Sequence, residues 1–264
     1  MGAVPPGGTR TYRFYASPEV GETVGVSRDW GDVLTNPALG LYGAVVVGPK
    51  GARYRDPSTG ADLAASASWR ADVVPARGAP WRDFTLLFQD SDDSIGTHRM
   101  PYTNHVRGTT GVNYRVAPDT PVLDAQAGDD VRIHVVAPFS EQAQVFSLEG
   151  HRWPLEVGLP GTPLRSSQAI AGGEALTFRL AGGAGGAERL AGTYRWDDHR
   201  LPFAEAGLVG RFVVRPAGGD GAGSALRPLA SRRPAPPLTR WLVTGAVVVT
   251  LAAARGLRRR WVLW

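Results

Sequence analysis

The 264-residue sequence has no cysteine, so it cannot form a disulfide or supply the thiolate of a thiolate–copper centre. It has only five histidines and two methionines, and the histidines do not occur in His-x-His pairs. These shortages exclude a histidine-rich metal cluster built from this chain alone. The Gly-x-Ser-x-Gly, Walker A, dinucleotide-binding and His-Glu-x-x-His motifs are also absent. The sequence therefore names no standard hydrolase or nucleotide enzyme.

Basic residues are concentrated at the C-terminal end. Residues 217–264 contain eight arginines and one aspartate, a net charge of +7, so the +5 of the whole chain leaves −2 for residues 1–216. A nucleic-acid-binding protein usually has a basic face on its folded body. We therefore expect no nucleic-acid partner.

The same end of the chain contains the longest apolar run. Fourteen uncharged residues, 241–254, lie between Arg240 and Arg255. A membrane-spanning helix needs about 20 apolar residues, with about 17 as a lower bound, so we predict a spanning helix; the alternative is a buried or interfacial helix. The arginines beyond it favour a cytoplasmic C-terminus and an extracytoplasmic body at the cell membrane. The predicted linker, transmembrane helix and basic tail are residues 217–240, 241–257 and 258–264.

The body of the chain is predicted to be all-β. Glycine (34) and proline (21) are abundant, which turn-rich β proteins tolerate better than helices do. Short β-type runs lie between turn residues. These runs are Thr11–Tyr15, Ala44–Val47, Phe84–Phe88, Val131–Val136, Val145–Leu148, Ala175–Leu180 and Gly210–Val214. A β-sandwich or barrel is favoured over a parallel α/β fold.

An internal repeat divides this body. Thr11–Phe14 matches Thr193–Trp196, and Gly40–Val47 matches Gly207–Val214. The second copy follows more than a hundred residues of strand-like sequence, whereas the first follows only ten. We therefore predict that the first copy is the back half of a domain whose front half lies before residue 1.

The repeat motifs GTYRW, AGLVGRFVV and GLYGAVVVGP resemble the closing strands of cupredoxin domains in multicopper oxidases. PVLDAQAGDDVRIHVVAP and VFSLEGHRWP resemble other parts of the same domains. The resemblance covers roughly residues 5–216. It implies Greek-key β-sandwich or barrel domains of the cupredoxin type, with the C-terminal part of one at 1–78 and a complete one at 79–216.

The resemblance also locates the copper-ligand positions, and most have lost their ligands. Where the family has the loop His-Pro-x-His-Leu-His-Gly, this sequence has Gln144, Ser147 and Glu149 at the histidine positions. Where the family has His-Cys-His-x-x-x-His, only His199 keeps a ligand type. The cysteine position holds Asp198, the last histidine position holds Phe203, and Leu208 takes the axial position. In the first repeat the corresponding stretch is assigned to Tyr15–Ser17, which has no histidine.

These losses imply that the chain alone binds no copper, although copper is the cofactor of the family. A non-blue divalent metal such as Mn²⁺ or Zn²⁺ is the alternative, because oxygen-rich ligands with an imidazole suit harder ions. Its candidate ligands are Glu149, His151, Asp197, Asp198 and His199. The competing interpretation is that Asp197, Asp198, Arg200 and Glu205 form a polar, salt-bridged remnant of the old site. His151–Pro154 is then a structural turn, with Trp153 packed on the core.

The remaining candidates carry weaker patterns. His134 alternates with apolar residues and is predicted to lie on the surface. His98 and His105, with Met100 between them, form a sparse copper-handling pattern in a loop. The acids between Asp90 and Asp93 lack the glycine and distal glutamate of an EF-hand, which favours a solvated turn.

Two functions follow from the sequence. The first is a non-catalytic, membrane-anchored structural or interaction part of an oxidase-like protein, with other cupredoxin domains as partners. The second is a C-terminal fragment of an active multicopper oxidase whose copper sites lie upstream of Met1. The first repeat and the lack of a signal peptide at Met1 favour the second, and whether the protein is an enzyme stays open at this point.

Overall fold

The computed structural model describes residues 4–33, 35–63, 68–90, 111–140, 142–218 and 246–248. The first strands in these ranges are β1 (Thr23–Arg28), β2 (Tyr42–Val47), β3 (Arg53–Arg55), β4 (Arg70–Val74), β5 (Trp81–Asp90), β6 (Gly111–Val112), β7 (Val122–Gln126) and β8 (Val131–Ser140). The later strands are β9 (Gln144–Leu148), β10 (Trp153–Pro154), β11 (Leu164–Arg165), β12 (Ser167–Ile170), β13 (Ala175–Arg179), β14 (Gly192–Asp198), β15 (Val209–Arg215) and β16 (Ala246–Val248). The helices are α1 (Thr35–Ala38) and α2 (Leu201–Glu205).

Two sheets pack face to face and enclose the main core. One has the strand order β12-β9-β14-β15-β7, and the other has the order β13-β8-β5-β4-β3 with β6 paired to β5. The aromatic side chains of Phe84, Phe146, Trp196 and Phe212 are fully buried between them. The burial of large aromatic rings removes much apolar surface from water and contributes strongly to the stability of the folded state. The predicted all-β sandwich is thereby confirmed.

Most of the predicted strands are present, and the exceptions are informative. Six of the seven runs coincide with β2, β5, β8, β9, β13 and β15, several of them with longer bounds. Thr11–Tyr15 is not a strand. The first strand of the body is β1, which carries Ser27 and Arg28 and has too little apolar character to be recognised from its sequence.

A third, small sheet covers the outer face of the sandwich. Its order is β1-β2-β16, with β2 in the centre. Tyr42 and Val46 of β2 pack against Leu87 of β5 and Val136 of β8. All ten residues of β5 are buried, because one face meets the sandwich core and the other is covered in two parts. Leu87 meets this sheet, whereas Trp81 packs with Ala71 and Val73 of β4.

The repeat has a structural basis, but its first half is shifted from the sequence match. In β1–β2 the Asp29 amide donates to the Leu41 carbonyl oxygen at 3.0 Å, and in β14–β15 the Asp198 amide donates to the Leu208 carbonyl oxygen at 2.9 Å. The strand registers on either side agree with this match.

The match of Thr11–Phe14 with β14 was therefore wrong, and β1 is the true counterpart of β14. Short helices precede both second strands, followed by Gly40 and Gly207 at φ of 90° and 106°, backbone angles that favour glycine. The residue of the first repeat that is equivalent to Asp198 is therefore Asp29, not a residue of Tyr15–Ser17.

The predicted segments of the tail fall almost wholly outside the described residues. Within 241–257 only Ala246–Val248 are described, and they form strand β16, antiparallel to β2, rather than part of a helix. None of the helices in the described ranges is long and apolar enough to cross a membrane. The division of the body at residue 78 stays a prediction; β3 and β4, which precede it, lie in the same sheet as β5.

Candidate metal centre

Four positions that the resemblance assigns to copper ligands meet at one end of the sandwich. Gln144 begins β9, Asp198 ends β14, Phe203 lies in α2, and Leu208 precedes β15. The Leu208 amide donates to the Phe203 carbonyl oxygen at 3.0 Å, and the Asp198 amide donates to the Leu208 carbonyl oxygen. All four side chains are at most 1% exposed, so this location is filled by protein atoms.

Asp198, at the cysteine position, is held by its own loop. Its Oδ1 accepts hydrogen bonds from the amides of Val145 at 3.2 Å and Arg200 at 3.1 Å. Its Oδ2 lies 3.4 Å from the Arg200 guanidinium. Burial raises the pKa of Asp198, and the hydrogen bonds from Arg200 oppose that rise. The carboxylate therefore organises the loop with groups that the chain itself supplies.

Phe203 and Leu208 give the location an apolar side. Phe203 stands where the family has a histidine, and the Arg200 guanidinium carbon lies 3.6 Å from the centre of its ring. Neither side chain has an atom that binds a metal. Together with Asp198 they provide one carboxylate and two hydrocarbon groups at this location.

Gln144 belongs to a second buried polar group beside this location. Its Nε2 donates to Ser140 Oγ at 2.6 Å and lies 3.4 Å from Asp90 Oδ2. Its Oε1 is buried and has no hydrogen-bond partner. Asp90 is only 1% exposed, so the predicted solvated turn is wrong at this residue. Asp92 and Asp93 lie outside the described residues.

Ser147 and the predicted ligand Asp197 lie away from the four buried positions. Successive side chains of a strand point to opposite faces, and Asp197 and Asp198 are neighbours in β14. Asp197 accepts from Arg195 Nε at 2.9 Å and lies 3.5 Å from Nδ1 of His199, whose side chain is 67% exposed. Ser147 is opposite Asp197 in the sheet and is half-buried.

His151 is a structural residue with both ring nitrogens in use. The Gly185 amide donates to Nε2 at 2.9 Å, so Nδ1 carries the proton and donates to the Glu149 carbonyl oxygen at 2.7 Å. The ring packs edge-on against Tyr194 and close to Phe212. Burial lowers the pKa of His151, which keeps the ring neutral. Trp153, two residues on, is buried in the core as predicted.

The five predicted divalent-metal ligands are thus distributed over three places: the Asp198 loop, the pair formed by Asp197 and the exposed His199, and the Glu149–His151 turn. No three His, Asp or Glu side chains within the described ranges are grouped as a metal site. The residues at the copper position also do not fit blue copper, which requires a thiolate and two imidazoles. No step through copper is therefore assigned to this chain.

The predicted surface position of His134 is wrong. It is 5% exposed, with Nε2 3.0 Å from Asp83 Oδ1 and Nδ1 2.7 Å from Thr177 Oγ1. The small sheet covers this face of β8, which the alternating pattern of the strand could not reveal. His98 and His105 lie outside the described residues.

Sequence reasoning overlooked Ser140 and Asp29, and it gave Arg200 only a salt-bridging role. Arg200 follows Asp198 by two residues, a spacing at which a side-chain oxygen commonly accepts a backbone amide, so this contact had a local signal. Ser140 and Asp90 end two neighbouring parallel strands, and only the pairing of β5 with β8 brings them together.

No family model and no curated protein matches the chain. Similar solved structures include a multicopper oxidase from Campylobacter jejuni, with 14% identity, a TM-score of 0.40, and coverage of 53% of this chain and 31% of that one. A copper nitrite reductase from Nitrosomonas europaea has 18% identity, a TM-score of 0.49, and coverage of 80% and 69%. A multi-copper oxidase from Pseudomonas thermotolerans has 22% identity, a TM-score of 0.37, and coverage of 55% and 32%.

The chain spans about a third of the length of the two oxidases. At these identities the likeness concerns the cupredoxin-type fold alone. It carries no argument about metal or activity.

Proposed function

We propose that the sandwich is a cupredoxin-like structural or interaction domain that does not use copper itself. The observation that carries this proposal is the state of Asp198. The residue at the thiolate position is fully buried, and its oxygens are bound by the Val145 amide and by Arg200. A carboxylate anchored in this way stabilises a loop, and removing it for metal binding would leave buried donors unpaired.

The test is copper loading of the full chain with a matched rebuilt variant. The natural chain, exposed to Cu²⁺ and desalted, is expected to retain less than about 0.1 copper per chain and to oxidise neither a diphenol nor ferrous iron. The variant Gln144→His, Asp198→Cys, Phe203→His restores three ligand types at buried positions and is expected to retain more copper. Circular dichroism confirms that both fold. Stoichiometric copper with turnover in the natural chain would overturn the proposal.

A second candidate is that the chain is part of an active multicopper oxidase whose ligands lie in other domains. The observation that favours it is the β1–β2 pair, which repeats the register of β14–β15 and packs on the outer face of the sandwich. The DNA upstream of Met1 tests it. An in-frame extension with His-x-His and His-Cys-His motifs supports this candidate, whereas an immediate stop codon rules it out.

Attachment to a membrane through residues 241–257 is also a proposal. Its support is the uncharged run between Arg240 and Arg255, and it competes with the pairing of Ala246–Val248 with β2. Membranes from cells that express the full chain, washed with alkaline carbonate, are expected to retain it, whereas a chain ending at residue 240 is expected to be released. Release of both proteins would contradict anchoring by this segment.

A further inference from the structure

His151 lies between a tight turn and a glycine-rich loop at one end of the sandwich. The turn, residues 149–152, follows β9, and the glycine loop, residues 181–191, joins β13 to β14. The Gly185 amide of this loop donates to His151 Nε2 at 2.9 Å, while Nδ1 donates to the Glu149 carbonyl oxygen of the turn. His151 is only 1% exposed. The buried ring therefore joins the turn to the loop by one hydrogen bond on each side.

Only the neutral imidazole can make both of these bonds. Nε2 accepts from the Gly185 amide only while it carries no proton, because a protonated ring has two donors and no acceptor. Protonation would place the Nε2–H against the Gly185 N–H, and both buried donors would lose their partner. Burial under the closed loop already lowers the pKa of His151. Proton uptake by the ring and closure of the loop therefore oppose each other.

The first part of the glycine loop, residues 181–184, is attached independently of the imidazole. The Ala184 amide donates to the Asp129 carbonyl oxygen at 2.9 Å, and the Ala184 carbonyl oxygen accepts from the Gly128 amide at 2.8 Å. The Asp129 carboxylate is itself held by the Gln126 amide at 2.8 Å. Ala184 is also fully buried in the main core. This part is expected to stay in place whatever the charge on the ring.

The second part, residues 185–190, depends on His151. It is attached through the Gly185 bond to the ring and through the Leu190 carbonyl oxygen, which accepts from the Tyr194 hydroxyl at 2.8 Å. Residues 187–190 are exposed, so only the start of this part is covered by other atoms. Loss of the Gly185 bond removes one of these two attachments and leaves the Gly185 amide to find water.

The ionisable groups around the ring do not favour one charge state. Tyr194 of β14 and Phe212 of β15 contact it as uncharged rings. Arg195 and Arg211 are the next residues to these along the strands, so they point to the opposite face of the sheet. The turn and the loop contribute two acids and two bases, all exposed: Glu149, Arg152, Glu188 and Arg189. Burial is therefore the main barrier to protonation, and opening of the loop removes it.

We propose that His151 is a proton-operated latch, in which the neutral ring holds residues 185–190 closed and the protonated ring releases them. Release hydrates the ring and uncovers the adjoining edge of Tyr194, while the sandwich beneath stays folded. If the ring of the open form has the ordinary pKa of about 6.5, a fall from pH 8 to pH 5 favours opening by up to about thirtyfold. The latch does not depend on the non-catalytic proposal, because copper loading and loop opening are measured separately.

The experiment is hydrogen exchange of the full chain in detergent micelles at pH 8 and pH 5, followed by mass spectrometry. Each rate is divided by the intrinsic exchange rate at that pH. Protection of residues 185–190 is expected to fall about tenfold to thirtyfold at pH 5. About 1 M urea should not change this exchange, because local opening exposes little surface, whereas it should accelerate exchange in β8, which requires global unfolding.

Three variants test the role of the ring. His151→Gln provides an amide oxygen as acceptor for Gly185 and cannot titrate, so the loop is expected to stay closed at both pH values. His151→Leu removes the acceptor, so the loop is expected to be open at both, and the glutamine variant keeps the test valid if the leucine variant does not fold. The matched control is His199→Gln, whose natural side chain is 67% exposed and which should keep the full pH response.

Three results would overturn the latch. The first is equal protection of residues 185–190 at pH 8 and pH 5 in the natural chain. The second is a pH response that persists in His151→Gln. The third is opening at pH 5 that is confined to the turn at residues 149–152 while residues 185–190 stay protected, because the turn would then be the part that moves.

Discussion

The β14–β15 and β1–β2 pairs share a register, a short helix between the two strands and a glycine turn, but they occupy different surroundings. The β14–β15 pair has β9 and β7 as neighbours, and its Trp196 and Phe212 lie in the main core. The β1–β2 pair lies outside the sandwich and contributes Tyr42 to a smaller cluster. The comparison teaches that one strand register can occur in two settings, and that the contacts which stabilise each pair depend on what packs around it.

The two loops at the equivalent aspartates differ in the same way. Asp198 accepts from two amides and a guanidinium. Asp29 is also buried, but its Oδ1 accepts from the Gly31 amide and its Oδ2 has no partner. Asp198 therefore connects its loop to β9, whereas Asp29 closes only a local turn.

The largest expected effect comes from adding a methyl group to each pair. In Gly210→Ala, the new Cβ would lie 2.1 Å from an indole carbon of the buried Trp196. This overlap is expected to lower the free energy of unfolding by about 3 kcal/mol. Gly25→Ala in β1 meets no atom within 4 Å and is expected to change it by less than about 0.5 kcal/mol. Urea unfolding measures both, and equal losses would show that the pairs are equivalent.

The aspartates give the second contrast. Asp198→Ala leaves the Val145 and Arg200 amides without a buried acceptor and is expected to cost about 2 kcal/mol. Asp29→Ala removes the hydrogen bond from the Gly31 amide together with an unpaired buried oxygen. It is therefore expected to lower the free energy of unfolding by only about 0.5 kcal/mol. The same unfolding measurement distinguishes them. A greater loss of stability from Asp29→Ala than from Asp198→Ala would contradict the conclusion that Asp198 is the residue that connects its loop to a neighbouring strand.

The smallest effect at neutral pH is a pH dependence from His151, which packs against Tyr194 of β14 and Phe212 of β15. Burial lowers the pKa of His151 in the folded state, so the unfolded chain binds the proton first as pH falls. The neutral His151 ring therefore makes its full contribution to stability above the unfolded pKa of about 6.5. That contribution is lost as the pH falls toward the lower folded pKa. The slope from this proton is at most about 1.4 kcal/mol per pH unit.

His151→Leu should remove this part of the slope, and the exposed His199→Gln should retain it. Unfolding curves between pH 7 and pH 5 provide the measurement. An unchanged slope in His151→Leu would place the titrating group elsewhere.

Local pattern was enough to predict most central strands, because apolar runs carry that information. The grouping of Gln144, Asp198, Phe203 and Leu208 was implied by the family resemblance of their loops instead. It misplaced what depends on distant packing. His134 has the alternation of a half-exposed strand, yet it is buried beneath a sheet formed far away in the sequence.

The sequence match of the first half of the repeat was wrong for a related reason. Thr11–Phe14 resembles Thr193–Trp196 in its letters, whereas β1 resembles β14 only in its hydrogen-bond register. The five predicted metal ligands are not grouped in the structure, because alternate residues of β14 face opposite ways, which separates Asp197 from Asp198.

The pairing of β2 with β16 has a practical consequence for handling the protein. In the sandwich, the equivalent edge of β15 is covered by β7, whereas β2 has the three residues Ala246–Val248 at its edge. A shortened protein that ends at residue 218 would present the backbone of Val45 and its neighbours as an uncovered edge. Uncovered edges recruit strands from other molecules. Preparations of the shortened form should therefore associate at high concentration more readily than the full chain.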